Sequence, residues 1–212
     1  MAEVLAPSLL KRPRLLRAEE FERLLKTGVF ADEHVELIHG RIVLLMAQGP
    51  DHVGVLNWLS TLLIERLGDA YGPRQRQAVV QMQSSARFAP GSTPEADLTV
   101  PEPDLMLVPA AAAFRGGPYE PERTMLVAEV SDTTLTHDLA EKSRLYAALG
   151  VPLVWVVDLP NRRLHVLQRP DPQTATYAEA AVFSGDETVG FPSLPEIEPI
   201  RAGDLFVHLD AG

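Results

Sequence analysis

Two carboxylates interrupt stretches that otherwise read as buried strands. Glu129 breaks the apolar run MLVAEV at 125–130, and Asp104 opens the run DLMLVP at 104–109. Such runs are the pattern of strands covered on both faces, and a buried carboxylate is costly unless something pairs with it. Lys142 is the third charged group in an apolar setting, on the helical stripe that follows Glu129. Carboxylate oxygens and water suit the hard cations Mg2+ and Mn2+, while a lysine point charge suits a phosphate or an attacking water. Rival chemistries lack their residues. There is no cysteine, and the six histidines, at 34, 39, 52, 137, 165 and 208, include no i,i+4 pair for zinc. Nor does any G-x-S-x-G, H-E-x-x-H, Walker A or G-x-G-x-x-G pattern occur.

The stretch from Thr124 to Asp158 must position these groups. It reads as strand, polar turn, helix and strand, with Thr133, Thr134 and Thr136 as helix-start residues and Gly150 with Pro152 ending a helix from about His137 to Leu149. At about 100° per residue, Leu135, Leu139, Leu145, Tyr146 and Leu149 share one arc with Asp138 and Lys142 in its middle, while Glu141, Arg144 and Ala148 face away. A helix leaving a strand lies back across the sheet, which aims Lys142 at Glu129. The plainer alternatives are a lysine that snorkels to solvent, an ion pair without chemistry, and an Asp104 that merely starts a strand.

Around this unit the chain reads as a mixed α/β (α+β) domain over residues 17–212, with a flexible N-terminal arm at 1–16 that carries Lys11, Arg12 and Arg14. A short amphipathic helix is expected over 18–27, then a β-hairpin turning at His39 and Gly40. Glu36 lies in the first arm of that hairpin, and alternation alone leaves its direction open. A second helix follows over 49–69, with Asp51 as its cap, His52 in its first turn and Gly68 at its end. Further strands are expected at 76–83, 153–158, 164–169 and 176–183, with a loop at 84–103, a mobile excursion at 110–123 and a tail that docks Leu205 and Phe206 on the core.

Composition bounds the function. With 212 residues, 46% hydrophobic, the chain suits one domain with a sizeable core. A net charge of −10 argues against coating nucleic acid non-specifically, without excluding a local basic groove. No stretch has the length of a membrane span or the form of a signal peptide, so a cytoplasmic protein is expected.

The ordered set VELIHGRIV, GPDH, EPDLMLV and VAEVSDTTLTHDLAEKSRLYAALGVPLVWVVD resembles the Uma-type restriction endonuclease-like family, a branch of the PD-(D/E)XK nuclease superfamily. The resemblance runs from about Arg17 to Phe206. It implies a restriction-endonuclease-like core and metal-dependent hydrolysis of phosphodiester bonds in nucleic acid, DNA above all. Pro103-Asp104 matches the PD of the motif and Glu129 its second acid. The commonest pattern has a lysine two residues after that acid, where this chain has Ser131; the family resembled takes it from the following helix, at Lys142, with Tyr146 and Asp138 one turn to either side. By the same resemblance Asp104, Glu129 and the Val130 backbone carbonyl hold one or two Mg2+ or Mn2+ ions, Glu36 supports the site, and His52 belongs to it in an unassigned role. Cutting both strands of a duplex calls for two sites across a two-fold axis, so a homodimer is expected. The rival expectation is a non-catalytic binding or regulatory protein on the same scaffold. Finally, carboxylates sharing a cleft should repel one another in the metal-free protein with only Lys142 offsetting them, so that replacing either acid would raise metal-free stability.

Overall fold

The computed structural model describes residues 13–71, 77–115, 118–133 and 135–210. Residues 1–12 of the expected arm, Thr134, and the first residue of the strand expected from 76 lie outside them. Helix α1 (Ala18–Lys26) is followed by the hairpin β1 (Val35–Ile38) and β2 (Arg41–Leu44) and by α2 (Pro50–Tyr71). Next come β3 (Ala78–Met82), β4 (Leu105–Pro109), the single turn α3 (Ala110–Ala113) and β5 (Leu126–Ser131). A helical stretch then runs as α4 (Leu135–His137), a π-helical segment at Asp138–Lys142 and α5 (Ser143–Leu149). The chain continues through β6 (Leu153–Asp158), β7 (Arg163–Asp171) and β8 (Thr176–Phe183), then the two-residue strands β9 (Thr188–Val189) and β10 (Ile200–Arg201), and ends in 3-10 turns at Ala202–Asp210.

The central sheet has six strands in the order β3-β4-β5-β6-β7-β8. Only β5 and β6 run parallel; every other neighbouring pair is antiparallel. This is the expected mixed sheet flanked by helices. A parallel pair needs a crossover, which the helical stretch supplies. One face buries Leu105, Ala128, Val130 and Trp155 under Val55, Leu56, Leu59 and Leu63 of α2, with Leu205 and Phe206 closing that layer from the tail. The other face buries Met106, Val127, Val154 and Val156 under Leu145, Tyr146 and Leu149 of α5. Because side chains alternate along a strand, Glu129, between Ala128 and Val130, faces the α5 side.

Local chemistry explains the boundaries. At the hairpin turn His39 and Gly40 both have positive φ, 49° and 76°, the type I′ geometry that matches strand twist. A Cβ at Gly40 would also come within 2.6 Å of the Leu15 Cβ, so glycine is required twice over. Gly150, at φ 82°, ends α5 in the left-handed conformation. Four details differ from the sequence reading. Gly68 does not end α2, which runs on to Tyr71, and Asp51 is inside its first turn, with Pro50 taking the first helical position. Part of the expected excursion at 110–123 is ordered as α3, and Tyr119 is buried and bridged to Phe88. The helix over Lys142 is not uniformly α-helical: its middle five residues form wider π turns.

Candidate active site

Asp104 lies one residue before β4, at a level where the sheet is still forming. Leu105 pairs with Ala128, so the next step of the antiparallel register sets Asp104 opposite Glu129. Its main chain is held from the β3 side, where the Gln83 N–H donates to its carbonyl at 3.0 Å. Its side chain does what a backbone acceptor would do on the other side: Oδ2 takes the Val130 N–H at 2.8 Å. A residue's N–H and C=O point to the same edge of a strand, so the Val130 carbonyl also faces the Asp104 side. From the opposite layer the first turn of α2 brings His52, whose Nε2 lies 3.0 Å from Asp104 Oδ2. The Asp104 carboxylate can only accept, so Nε2 is the nitrogen that donates, and His52 Nδ1 is buried with no partner among the described residues. Asp104 Oδ1 accepts from Gln48 Nε2 at 2.8 Å, and Gln48 Oε1 in turn accepts from Gln83 Nε2 at 2.6 Å.

Glu129 is 2% exposed and is held from the helix side. Lys142 Nζ donates to its Oε2 at 2.9 Å, and the Tyr146 hydroxyl donates to its Oε1. The π turns carry Asp138, buried, and Lys142, mostly buried, on the inward side. Glu36 is directed inward and accepts from the Glu102 N–H at 3.2 Å, and its charge reaches Lys142. The direction left open by alternation is thus set by the bridge of Leu37 to Val100, which ties β1 to the loop before Asp104.

These surroundings separate the two acids electrostatically. Burial pushes Glu129 up to about 8, with the Lys142 ammonium pulling against it, Asp104 adding to it and the Tyr146 hydroxyl opposing it. Burial also acts on Asp104, but the hydrogen bond and charge of His52, the Val130 N–H and Lys142 together hold it below the usual aspartate value. Burial opposes the charge on Lys142, yet Glu129 and then Glu36 keep its ammonium above the ordinary lysine range. Tyr146 is raised well above its usual value by burial and by Glu129. Lys142 is therefore not the sole counterweight to two repelling acids. Asp104 has three donors of its own, and removing it would leave the Val130 N–H and His52 without their acceptor, which overturns the expectation that its loss stabilises the metal-free protein.

The structure brings Asp104, Glu129, Lys142, Tyr146 and His52 into one contiguous set, with Glu36 beside Lys142. Gln48 and Gln83 were not expected. They are exposed polar residues in loops, and neither periodicity nor motif marks them. Among the described residues no three of His, Asp or Glu form a ready cation cage. A surface cleft lined by Arg115, Tyr119, Arg123 and Thr124 lies at the opposite end of β4 and β5 and holds none of these groups.

Residues 18–204 match the family model Uma2, described as "Putative restriction endonuclease". The fold is similar to the crystal structure of "a putative nuclease belonging to DUF820" from Anabaena variabilis ATCC 29413. That match has a TM-score of 0.65 and 18% sequence identity, and it covers 92% of this chain and 98% of the other. No curated protein matches the chain.

Proposed function

The chain belongs to the Uma2 family, and from that premise we propose that it is a metal-dependent endonuclease that hydrolyses DNA phosphodiester bonds in the cytoplasm. The observation that carries this reading is the Lys142 ammonium on Glu129, delivered by a helix across the sheet to the strand neighbour of Asp104. That is the acid, acid and lysine set of such nucleases with the lysine moved from the strand, where Ser131 stands, to the helix.

The donor set fits Mg2+ or Mn2+. Mg2+ is commonly bound by one or two carboxylates with waters and substrate phosphates rather than by an all-protein cage, and two carboxylates with a backbone carbonyl are what this site offers. Asp104, Glu129 and the Val130 carbonyl would hold the ion, which when bound polarises a phosphate and lowers the pKa of a bound water. Lys142 supplies a fixed positive charge where negative charge develops on the phosphate, or orients the attacking water. Tyr146 holds Glu129 in place. His52 turns Asp104 Oδ2 into the β5 backbone. A homodimer would present two such sites to a duplex, and light scattering at micromolar concentration should give twice the chain mass of 23.2 kDa.

One observation favours the rival, non-catalytic reading: each oxygen of Asp104 and Glu129 already accepts from a protein donor. A panel of single- and double-stranded DNA and RNA, incubated with Mg2+ or Mn2+, separates the two. Divalent-dependent cleavage of DNA that Asp104→Ala abolishes is the expected result. Binding without cleavage under every metal would leave the scaffold reading.

A further inference from the structure

In the proposed metal site, which this inference rests on, a cation has to reach the carboxylate of Asp104. The lone pairs of its carboxylate can be counted. Oδ2 has two, and both are used, by His52 Nε2 and the Val130 N–H. Capacity for an incoming ion therefore rests on Oδ1. There the Gln48 Nε2 takes one of the two lone pairs at 2.8 Å, placing the positive end of an amide on the oxygen a cation would use.

The donors around the two acids also differ in exposure. His52 and Tyr146 are buried, the Val130 N–H lies within the sheet, and Lys142 keeps a side-chain exposure of 19%. Gln48 and Gln83 are exposed. Asp104 itself shows only 10% of its side chain to solvent, and Glu129 2%. Among the described residues, the amide of Gln48 is thus the exposed, uncharged donor on an otherwise enclosed pair, and its departure uncovers only Asp104 Oδ1, the oxygen that an ion would then take.

Gln48 is also fastened in place. Gln83 Nε2 donates to its Oε1 at 2.6 Å, while the Gln83 N–H holds the Asp104 carbonyl at 3.0 Å. Gln83 has φ 44°, a left-handed conformation that is unfavourable for a residue with a side chain. One strained residue therefore grips Asp104 and the side chain that covers it.

We infer that Gln48, pinned by Gln83, is a displaceable latch that competes with Mg2+ or Mn2+ for Asp104 Oδ1 and weakens their binding until it swings away. Removing the latch makes binding tighter, because the ion no longer competes with a hydrogen bond to a charged acceptor. The same substitution would weaken binding if the amide were instead a ligand.

Isothermal titration of the full chain with Mn2+, without nucleic acid, reads this directly. Gln48→Leu should tighten the Kd roughly ten-fold, the equivalent of one such hydrogen bond. Gln83→Asn keeps a residue that tolerates the left-handed backbone but shortens the amide, and should shift the Kd in the same direction by less. Tighter binding in both variants, or binding that appears only in Gln48→Leu, supports the latch. An unchanged or weaker Kd in Gln48→Leu, with wild-type binding that Glu129→Gln abolishes, overturns the latch and leaves the metal site standing. Absence of Mn2+ binding in wild type and in both latch variants overturns the latch and the metal-dependent reading together.

Discussion

At the scale of single residues the site is a pair of acids tuned apart by their partners. Above about pH 8, where Glu129 is ionised, Lys142→Ala leaves it buried without its cation, a loss of about 3 kcal/mol, at the low end for a broken buried pair because Glu129 can take a proton. Thermal unfolding with chelator present should then occur roughly 10 °C lower, and Lys142→Met combined with Glu129→Gln should recover most of the loss. An unchanged midpoint in Lys142→Ala would mean the pair does not hold the fold. The pH dependence follows from the direction of the shifts. Glu129 is raised from 4.5 to about 8, so the folded chain keeps a proton that the unfolded chain has released between those values. Its contribution is complete below 4.5 and is lost as pH rises through about 8. Asp104, held below 3.8, contributes above that value and is lost as pH falls through its folded value. Urea denaturation of the metal-free protein should show wild type losing stability relative to Glu129→Gln from about pH 5 to about pH 8, by at most ~1.4 kcal/mol per pH unit. Parallel profiles would contradict the assignment. The inward placement of Glu129 and Lys142 was legible because each breaks a periodicity, of strand and of helix, that burial enforces. Gln48 and Gln83 were not, because their pairing depends on two loops meeting in space and leaves no spacing in the chain.

At the scale of elements, the hairpin turn, the parallel β5 and β6 and the left-handed end of α5 all follow from local residue chemistry. The π turns do not. A wheel of about 100° per residue still put Asp138 and Lys142 inward, because the stripe is anchored by Leu135 before the π turns, Leu139 within them and Leu145, Tyr146 and Leu149 after them. The π turns widen the middle of the stretch without taking Asp138 or Lys142 off the buried side. Deleting Ala140 should rotate the residues after it by about 100° against Leu135 and Leu139 and pull Lys142 and Tyr146 away from Glu129. A fall in melting temperature of several degrees, with loss of any Mn2+ response, is the expected outcome; a melting temperature and Mn2+ response equal to wild type would show that the π turns take up the deletion without moving Lys142. Gly68 shows a related limit of local reading. A glycine near a helix end reads as a stop, but α2 packs Leu63 and Leu67 before it and Ala70 beyond it against the core, and tertiary burial outweighs a cost of about 1 kcal/mol.

At the scale of the molecule, the sheet delivers one acid from each of two adjacent strands, and the two layers that cover its faces each send a partner, His52 from α2 and Lys142 from the crossover. A divalent ion that binds only the folded state would add about 2.7 kcal/mol of stability at a hundred times its Kd. Whether that architecture performs chemistry is tested most directly by nicking of supercoiled plasmid DNA in Mn2+, with wild type and Glu129→Gln purified side by side. The expected result is conversion to open-circular and linear forms by wild type, suppressed by chelator and absent in Glu129→Gln. Equal cleavage by both proteins, or none by either across divalent metals, would contradict a nuclease centred on Asp104, Glu129 and Lys142.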